Sequence, residues 1–238
     1  MQIATTSDHP HLSTAALVGE WPLFILKDPI SNRYRKTVQQ YFPQYDVLAL
    51  DGSEVLAHAV AVALCWDGTP STLPDGGYDG AIVQSVRDHE SGTTPDTLCV
   101  LAATVRATHA GRGLAAAVLT ALRTRALANG LSRVVVPVRP TLKANYPLTP
   151  MADFATWTRP DGLHLDPWIR THQRLGATVL GPAERSMVVT GTAAEWQRWT
   201  GLHFPRSGRY VVPGGHDVVV FEGDRGVYEE TNLWMRHL

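Results

Sequence analysis

The stretch RATHAGRGLAAAVLTALRTRALANG, residues 106–130, decides how the chain reads. Two glycines bracket an arginine, and a run of Ala, Leu and Val broken by arginines then leads to a closing glycine. Helical spacing puts Leu114, Val118, Leu122 and Ala126 on one stripe with Ala115 and Leu119 beside it, while Arg123 and Arg125 fall off it. Gly130 stands where a helix ends in a left-handed residue. The spacing predicts a helix from about Gly113 to Asn129. Its first turn would leave backbone N–H groups unpaired at the positive end of the helix dipole. Glycines just before such a turn let an anion come close to the main chain. From the residues alone two readings stay open: a main-chain phosphate cradle over 109–114, or a tight strand-to-helix turn that needs glycine for its φ angles.

The flanks extend the pattern. TLCVLAATVR (97–106) and RVVVPVRP (133–140) read as buried strands, so 97–140 forms one strand-helix-strand crossover with neighbouring parallel strands. Upstream, YDVLALDGSEVLAHAVAVALCWDG holds two β-rich runs around Asp51-Gly52, a hairpin signal. NRYRKTVQQYF and GAIVQSVRDHE read as helices. Downstream, DPWIRTHQRLG predicts a helix with Asp166 as N-cap, Pro167 in the first turn and Gly176 past the end. RSMVVTG reads as a strand, and TAAEWQRWTG opens on a capping box from Thr192 to Glu195. YVV, DVVVFEG and GVYEETNLWM read as closing antiparallel strands. There is no internal repeat, and one domain is expected over 1–238. Its parts would be an N-terminal helical or loop segment (1–43), an inserted segment (141–165) and a C-terminal extension (191–238).

Composition narrows the function. The 238 residues are 44% hydrophobic and 18% charged, ordinary for a globular chain. A formal net charge of -1 offers no basic excess for a phosphate backbone, so a nucleic-acid partner is not expected. The longest apolar run, VLAHAVAVALCW with His58 inside it, is too short to span a bilayer, and no signal peptide is evident. A soluble cytoplasmic protein without a membrane partner is expected. Cys65 and Cys99 read as half-buried thiols. His9 and His11 sit in a tail that reads as loose, and no metal site is expected. G-x-S-x-G, H-E-x-x-H and C-x-x-C are absent.

GRGLAA also fits the dinucleotide fingerprint G-x-G-x-x-A, which would make the protein an NAD(P)-binding oxidoreductase. That fingerprint belongs to an early βαβ unit with further βα repeats. Here about a hundred residues and a hairpin come first, and the next strand ends in Arg139 where an acid would be wanted.

A hairpin, a buried strand, THAGRGLA, an Arg/Ala-rich helix and a further strand resemble the GNAT superfamily of acyl-CoA N-acyltransferases over roughly residues 44–190. The family's Gln/Arg-x-x-Gly-x-Gly/Ala motif reads here Ala110-Gly111-Arg112-Gly113-Leu114-Ala115, with Ala110 in place of the side-chain donor. The resemblance implies an α/β fold: a mixed, mainly antiparallel sheet flanked by helices, with an elaborated C-terminal half. It implies transfer from acetyl-CoA or another acyl-CoA to a small-molecule amine by direct attack. A non-catalytic acyl-CoA-binding module remains an alternative, and a homodimer is left open. Ala110, Gly111, Arg112, Gly113 and Leu114 would hold the diphosphate. Ala103, Thr104 and Val105 would hold pantetheine in a splay between strands, one N–H polarising the thioester carbonyl. Pro137 suits a strand whose pairing breaks there.

The family's second motif, Tyr-x-x-Leu-Gly-Phe, is matched by His172-Gln173-Arg174-Leu175-Gly176-Ala177. His172 would replace the tyrosine that protonates the leaving thiolate, as an imidazolium of pKa about 6.5 can. A core histidine bonded to a carbonyl is the other reading. Candidate bases are Asp161, His164, Glu222, Glu229 and Glu230. The irregular insertion TLKANYPLTPMADFATWTRPDGLHL, with Tyr146, Phe154 and Trp157, is expected to wall the acceptor pocket. Arg139 and Lys143 could meet an acceptor carboxylate.

Overall fold

A computed structural model describes residues 1–14, 17 and 21–237. Part of the expected N-terminal segment, 15–16 and 18–20, lies outside the described residues. The strands are β1 Gln2–Thr5, β2 Asp46–Asp51, β3 Glu54–Leu64, β4 Thr97–Val105, β5 Arg133–Val138, β6 Thr178–Thr192, β7 Gly208–Tyr210, β8 Val219–Glu222 and β9 Arg225–Arg236. The helices are α1 Pro29–Tyr41, α2 Gly77–Glu90, α3 Leu114–Ala128, the single-turn α4 Met151–Phe154, α5 Pro167–Arg174 and α6 Ala193–Thr200.

Local chemistry accounts for most of these boundaries. Gly52, at φ 56°, turns β2 into β3. Asp28 caps α1 by accepting from the Ser31 amide at 2.6 Å, ahead of Pro29. Asp166 caps α5 through the amides of Trp168 and Ile169. Thr192 and Glu195 form the reciprocal capping box of α6. Each cap satisfies amides that the helix itself leaves orphaned.

The sheet runs β1-β2-β3-β4-β5-β9-β8-β7, with β6 also paired to β9. Among the described residues only β4 and β5 pair in parallel; every other pair is antiparallel. This is the mixed, mainly antiparallel sheet flanked by helices that the resemblance implies. A doubly wound parallel sheet, which the oxidoreductase reading requires, is not formed. Helix α3 packs on β2–β5 with α5 beside it, while α2 packs on β3 and β6 and against α1.

The β4–β5 pair governs the site. Its pairing extends from Thr97↔Arg133 to Cys99↔Val135 and stops. Beyond that point β4 stays with β3, and β5 stays with β9 from Val135↔Arg236 to Val138↔Leu233. The two central strands therefore part company, and Pro137, which lacks an N–H, sits in the diverging half.

Several expectations are corrected. The loose tail begins with a strand, β1, paired to β2. RSMVVTG is the end of a 15-residue strand, β6, whose register breaks between Ala183 and Met187, with Arg185 at φ 50°. YVV contributes only Tyr210 to β7. The thiols are not alike: Cys65 is exposed and Cys99 buried. Among the described residues no helix is long and apolar enough to cross a membrane.

Candidate active site

The turn before α3 is built from backbone. Gly111 and Gly113 both lie at φ 77°, where other residues are strained, and a Cβ on either would meet nothing within 4 Å. No side chain caps α3, and the loop from Ala110 to Gly113 is exposed. A positive helix end that faces open space and is bordered by glycine suits a diphosphate. Of the two readings of this turn, the φ angles require glycine and the empty space also admits an anion.

Next to it, the splay opens into a cavity of about 340 Å³. Ala102, Ala103 and Thr104 of β4 line one side, and Val136, Pro137 and Val138 of β5 the other. Past Cys99, β4 has no partner on its β5 side, so its edge can pair with an extended amide-bearing chain such as pantetheine. Val105 is in the strand but not in the lining. The residues fit acyl-CoA: a diphosphate seat, then an open strand edge, then a pocket.

Beyond the splay the cavity is bounded by α1 and α2 and by Trp21. Trp21 Nε1 donates to Thr104 Oγ1 at 3.3 Å, fixing the hydroxyl of a β4 residue. Arg139 lines the cavity, with its Cζ 5.8 Å from the Trp21 ring. Its Nε and Nη2 grip Glu230 at 3.0–3.1 Å, and Nη2 also donates to the Gly214 carbonyl. Burial pushes the Glu230 carboxyl up, but Arg139 and the Tyr228 hydroxyl outweigh this and hold it at about 2. Asn232 Nδ2 donates to the same carboxylate. Asp46 and His58 face the cavity as a pair, His58 Nε2 lying 2.6 Å from Asp46 Oδ1.

The residues expected from the second motif and the insertion fall elsewhere. His172 does not line the cavity; it lies behind Trp168, whose ring is 4.3 Å from its own. It is fully buried, bonded through Nδ1 to His237 at 2.8 Å, and its Nε2 has no partner among the described residues. Burial, with His237 beside it, pushes its pKa down to about 3. Burial favours the neutral imidazole, a far weaker acid than imidazolium, and the ring bonds to His237 and not to a carbonyl. His164 is also buried, held between the Phe154 carbonyl and the Asp166 amide. Asp161 is exposed in a turn, paired with Arg159 at 3.4 Å and accepting from the Leu163 amide.

No residue of 141–165 lines the cavity. Tyr146, Phe154 and Trp157 pack on one another, with ring centroids 4.7–6.1 Å apart. Lys143 is buried, donating to the carbonyls of Tyr146 and His216. The insertion also enters the main core through Met151 and Phe154, and the cavity wall comes from the N-terminal third together with β4 and β5. Glu222 and Glu229 border a groove on the outer C-terminal sheet. Trp21, Tyr34, Asp46, His58 and Tyr78, all in the lining, were not singled out by sequence reasoning. One signal was available: His58 interrupts an apolar strand, and a polar residue there needs a partner or a ligand.

An uncapped helix N-terminus behind a glycine turn, next to a splay between two strands, fits a coenzyme A-dependent acyltransferase site. The comparisons agree. No protein-family model matches the chain. It is 30% identical over 249 residues to the arginine N-acetyltransferase avaD of Aspergillus versicolor, covering 91% of this chain and 84% of that one. In fold it is similar to the loading GNATL domain of CurA from Lyngbya majuscula (TM-score 0.62, 14% identity, 99% of this chain and 96% of that one). It is also similar to the GphF GNAT-like decarboxylase in complex with isobutyryl-CoA (TM-score 0.55, 14% identity, 100% and 98%). The chain belongs to the GNAT superfamily of acyl-CoA-dependent N-acyltransferases. It is an enzyme, and an acyl-CoA is its cosubstrate.

Proposed function

We propose that the protein transfers an acetyl group from acetyl-CoA to the amine of a small cationic amino acid, with L-arginine the first acceptor to test. The similarity to a fungal arginine N-acetyltransferase over most of both chains supports this acceptor. The carrying observation is the cavity: it joins the β4 edge to a chamber lined by Tyr34, Arg35, Asp46, His58 and Arg139. Such a chamber has groups for both a carboxylate and an amine. Arg35 and Arg139 would receive the acceptor carboxylate. The main-chain amides of 110–114 would hold the diphosphate, and Ala103 and Thr104 the thioester arm. In this reading residues 1–238 act as one unit, because the lining draws on Thr14 at one end and Asn232 at the other. The protein would work in the cytoplasm, where acyl-CoA is abundant.

Thiol release from acetyl-CoA, followed over a panel of L-arginine, L-lysine, agmatine and spermidine, tests the acceptor. L-arginine is expected to give the highest kcat/KM, and agmatine, which lacks the carboxylate, a value at least about tenfold lower. Equal rates with the two would remove the carboxylate contact from the reading.

A further inference from the structure

Acyl transfer requires the acceptor nitrogen to lose a proton, and the bases nearest to hand in the sequence stand outside the cavity. The titratable side chains lining it are Tyr34 and Arg35 of α1, Asp46 of β2, His58 of β3, Tyr78 of α2 and Arg139. Guanidinium groups and phenols keep their protons at neutral pH, and burial pushes the Tyr78 phenol up to about 12. Among the described residues only the Asp46–His58 pair is left to take one.

Its geometry suits the task. Asp46 is 4% exposed, so its carboxylate is fixed and faces few competitors for a hydrogen bond. The short contact to Asp46 Oδ1 fixes the imidazole as the tautomer with hydrogen on Nε2. Nδ1 then carries the lone pair, and it has no hydrogen bond among the described residues. In the sheet register His58 lies directly opposite Thr104, and opposed residues project from the same face about 5 Å apart. The imidazole therefore neighbours the stretch of β4 whose free edge receives the thioester arm.

We propose that His58 is the general base that deprotonates the acceptor amine, with Asp46 as its positioning residue. The amine nitrogen forms a bond to the thioester carbonyl carbon while His58 Nδ1 takes one N–H proton. The oxyanion electron pair then re-forms the C=O bond, the C–S bond breaks, and the thiolate leaves with the C–S bonding pair. The thiolate takes up a proton, the imidazolium releases one, and amide and free thiol result. Asp46 stabilises the imidazolium while it lasts. The inference rests on N-acyl transfer and not on arginine as acceptor: if L-arginine is not acetylated, the test is run with the best amine of the panel.

The test compares His58→Ala, His58→Gln and Asp46→Asn with wild type, using acetyl-CoA and that amine across pH 5.5–9.5. Acetyl-CoA affinity and circular dichroism serve as controls. Both His58 variants should lose about 10²–10⁴-fold in kcat/KM and bind acetyl-CoA as wild type does. The acid limb of the wild-type pH profile should vanish with the imidazole. Added imidazole should restore part of the His58→Ala rate and leave wild type unchanged. Asp46→Asn should lose at least about tenfold, and it carries the test if the His58 variants fail to fold. Variants within about threefold of wild type, or a loss equal at every pH and untouched by imidazole, would overturn the assignment.

Discussion

Asp28 and Asp79 lie at the starts of neighbouring helices, one capping α1 and the other in the first turn of α2. Asp28 is fully buried and Asp79 9% exposed, and one buried oxygen of each, Asp28 Oδ2 and Asp79 Oδ1, has no hydrogen-bond partner among the described residues. Burial, then the neighbouring Asp28 charge, pushes Asp79 up to about 8. The pair thus holds one proton at neutral pH, because two carboxylates this close and this dry cannot both ionise. In the unfolded chain Asp79 would release its proton near 3.8. Its contribution to stability is therefore complete below about pH 3.8 and is lost as pH rises through 8. Asp79→Asn does not titrate. Its advantage in melting temperature over wild type should grow from pH 5 to about 8 and then level off. Melting curves that run parallel across that range would show that no proton is shared.

At the level of elements, α3 and its glycine turn are the proposed seat of the diphosphate. Gly113 takes a left-handed φ that costs other residues about 1–2 kcal/mol, and its missing side chain leaves the amides bare. Gly113→Val should raise the dissociation constant for coenzyme A about tenfold or more, about 1.4 kcal/mol. S-acetylpantetheine, which lacks the diphosphate, should bind both proteins alike. Calorimetry with the two ligands checks this, and equal losses for both would place the effect outside the diphosphate seat. This element was readable in advance because its signals are local: apolar residues at helical spacing, glycines at both ends and strands on each side. Capping residues Asp166 and Thr192 were readable for the same reason. His172 was not, because helical spacing shows that a side chain points inward without showing whether it meets a cavity or the ring of Trp168.

The whole molecule depends on its last strand. The C-terminal half of β9 lies between β5 and β6, and its N-terminal half between β6 and β8. It also brings Glu230 to Arg139 and Asn232 to Ser186. A chain ending at Asp224 would leave the β5 edge bare and the half-buried guanidinium of Arg139 without its carboxylate. Such a chain should show no cooperative thermal transition and no coenzyme A binding. A truncated protein that melts sharply would mean that the β1–β5 half holds together unaided.

Sequence alone determined the crossover at 97–140, the hairpin at 46–64, the helix caps and the glycine turn before α3, since each arises among residues a few positions apart. Tertiary structure alone decided who faces whom. It set His58 against Asp46 across a hairpin, brought Trp21 to Thr104, joined Arg139 to Glu230 from 91 residues away and turned the 141–165 aromatics onto each other. Spacing along a chain fixes the direction of a side chain relative to its own element. What lies in that direction depends on where other elements pack, and here the cavity exists only because β4 and β5 follow different neighbours.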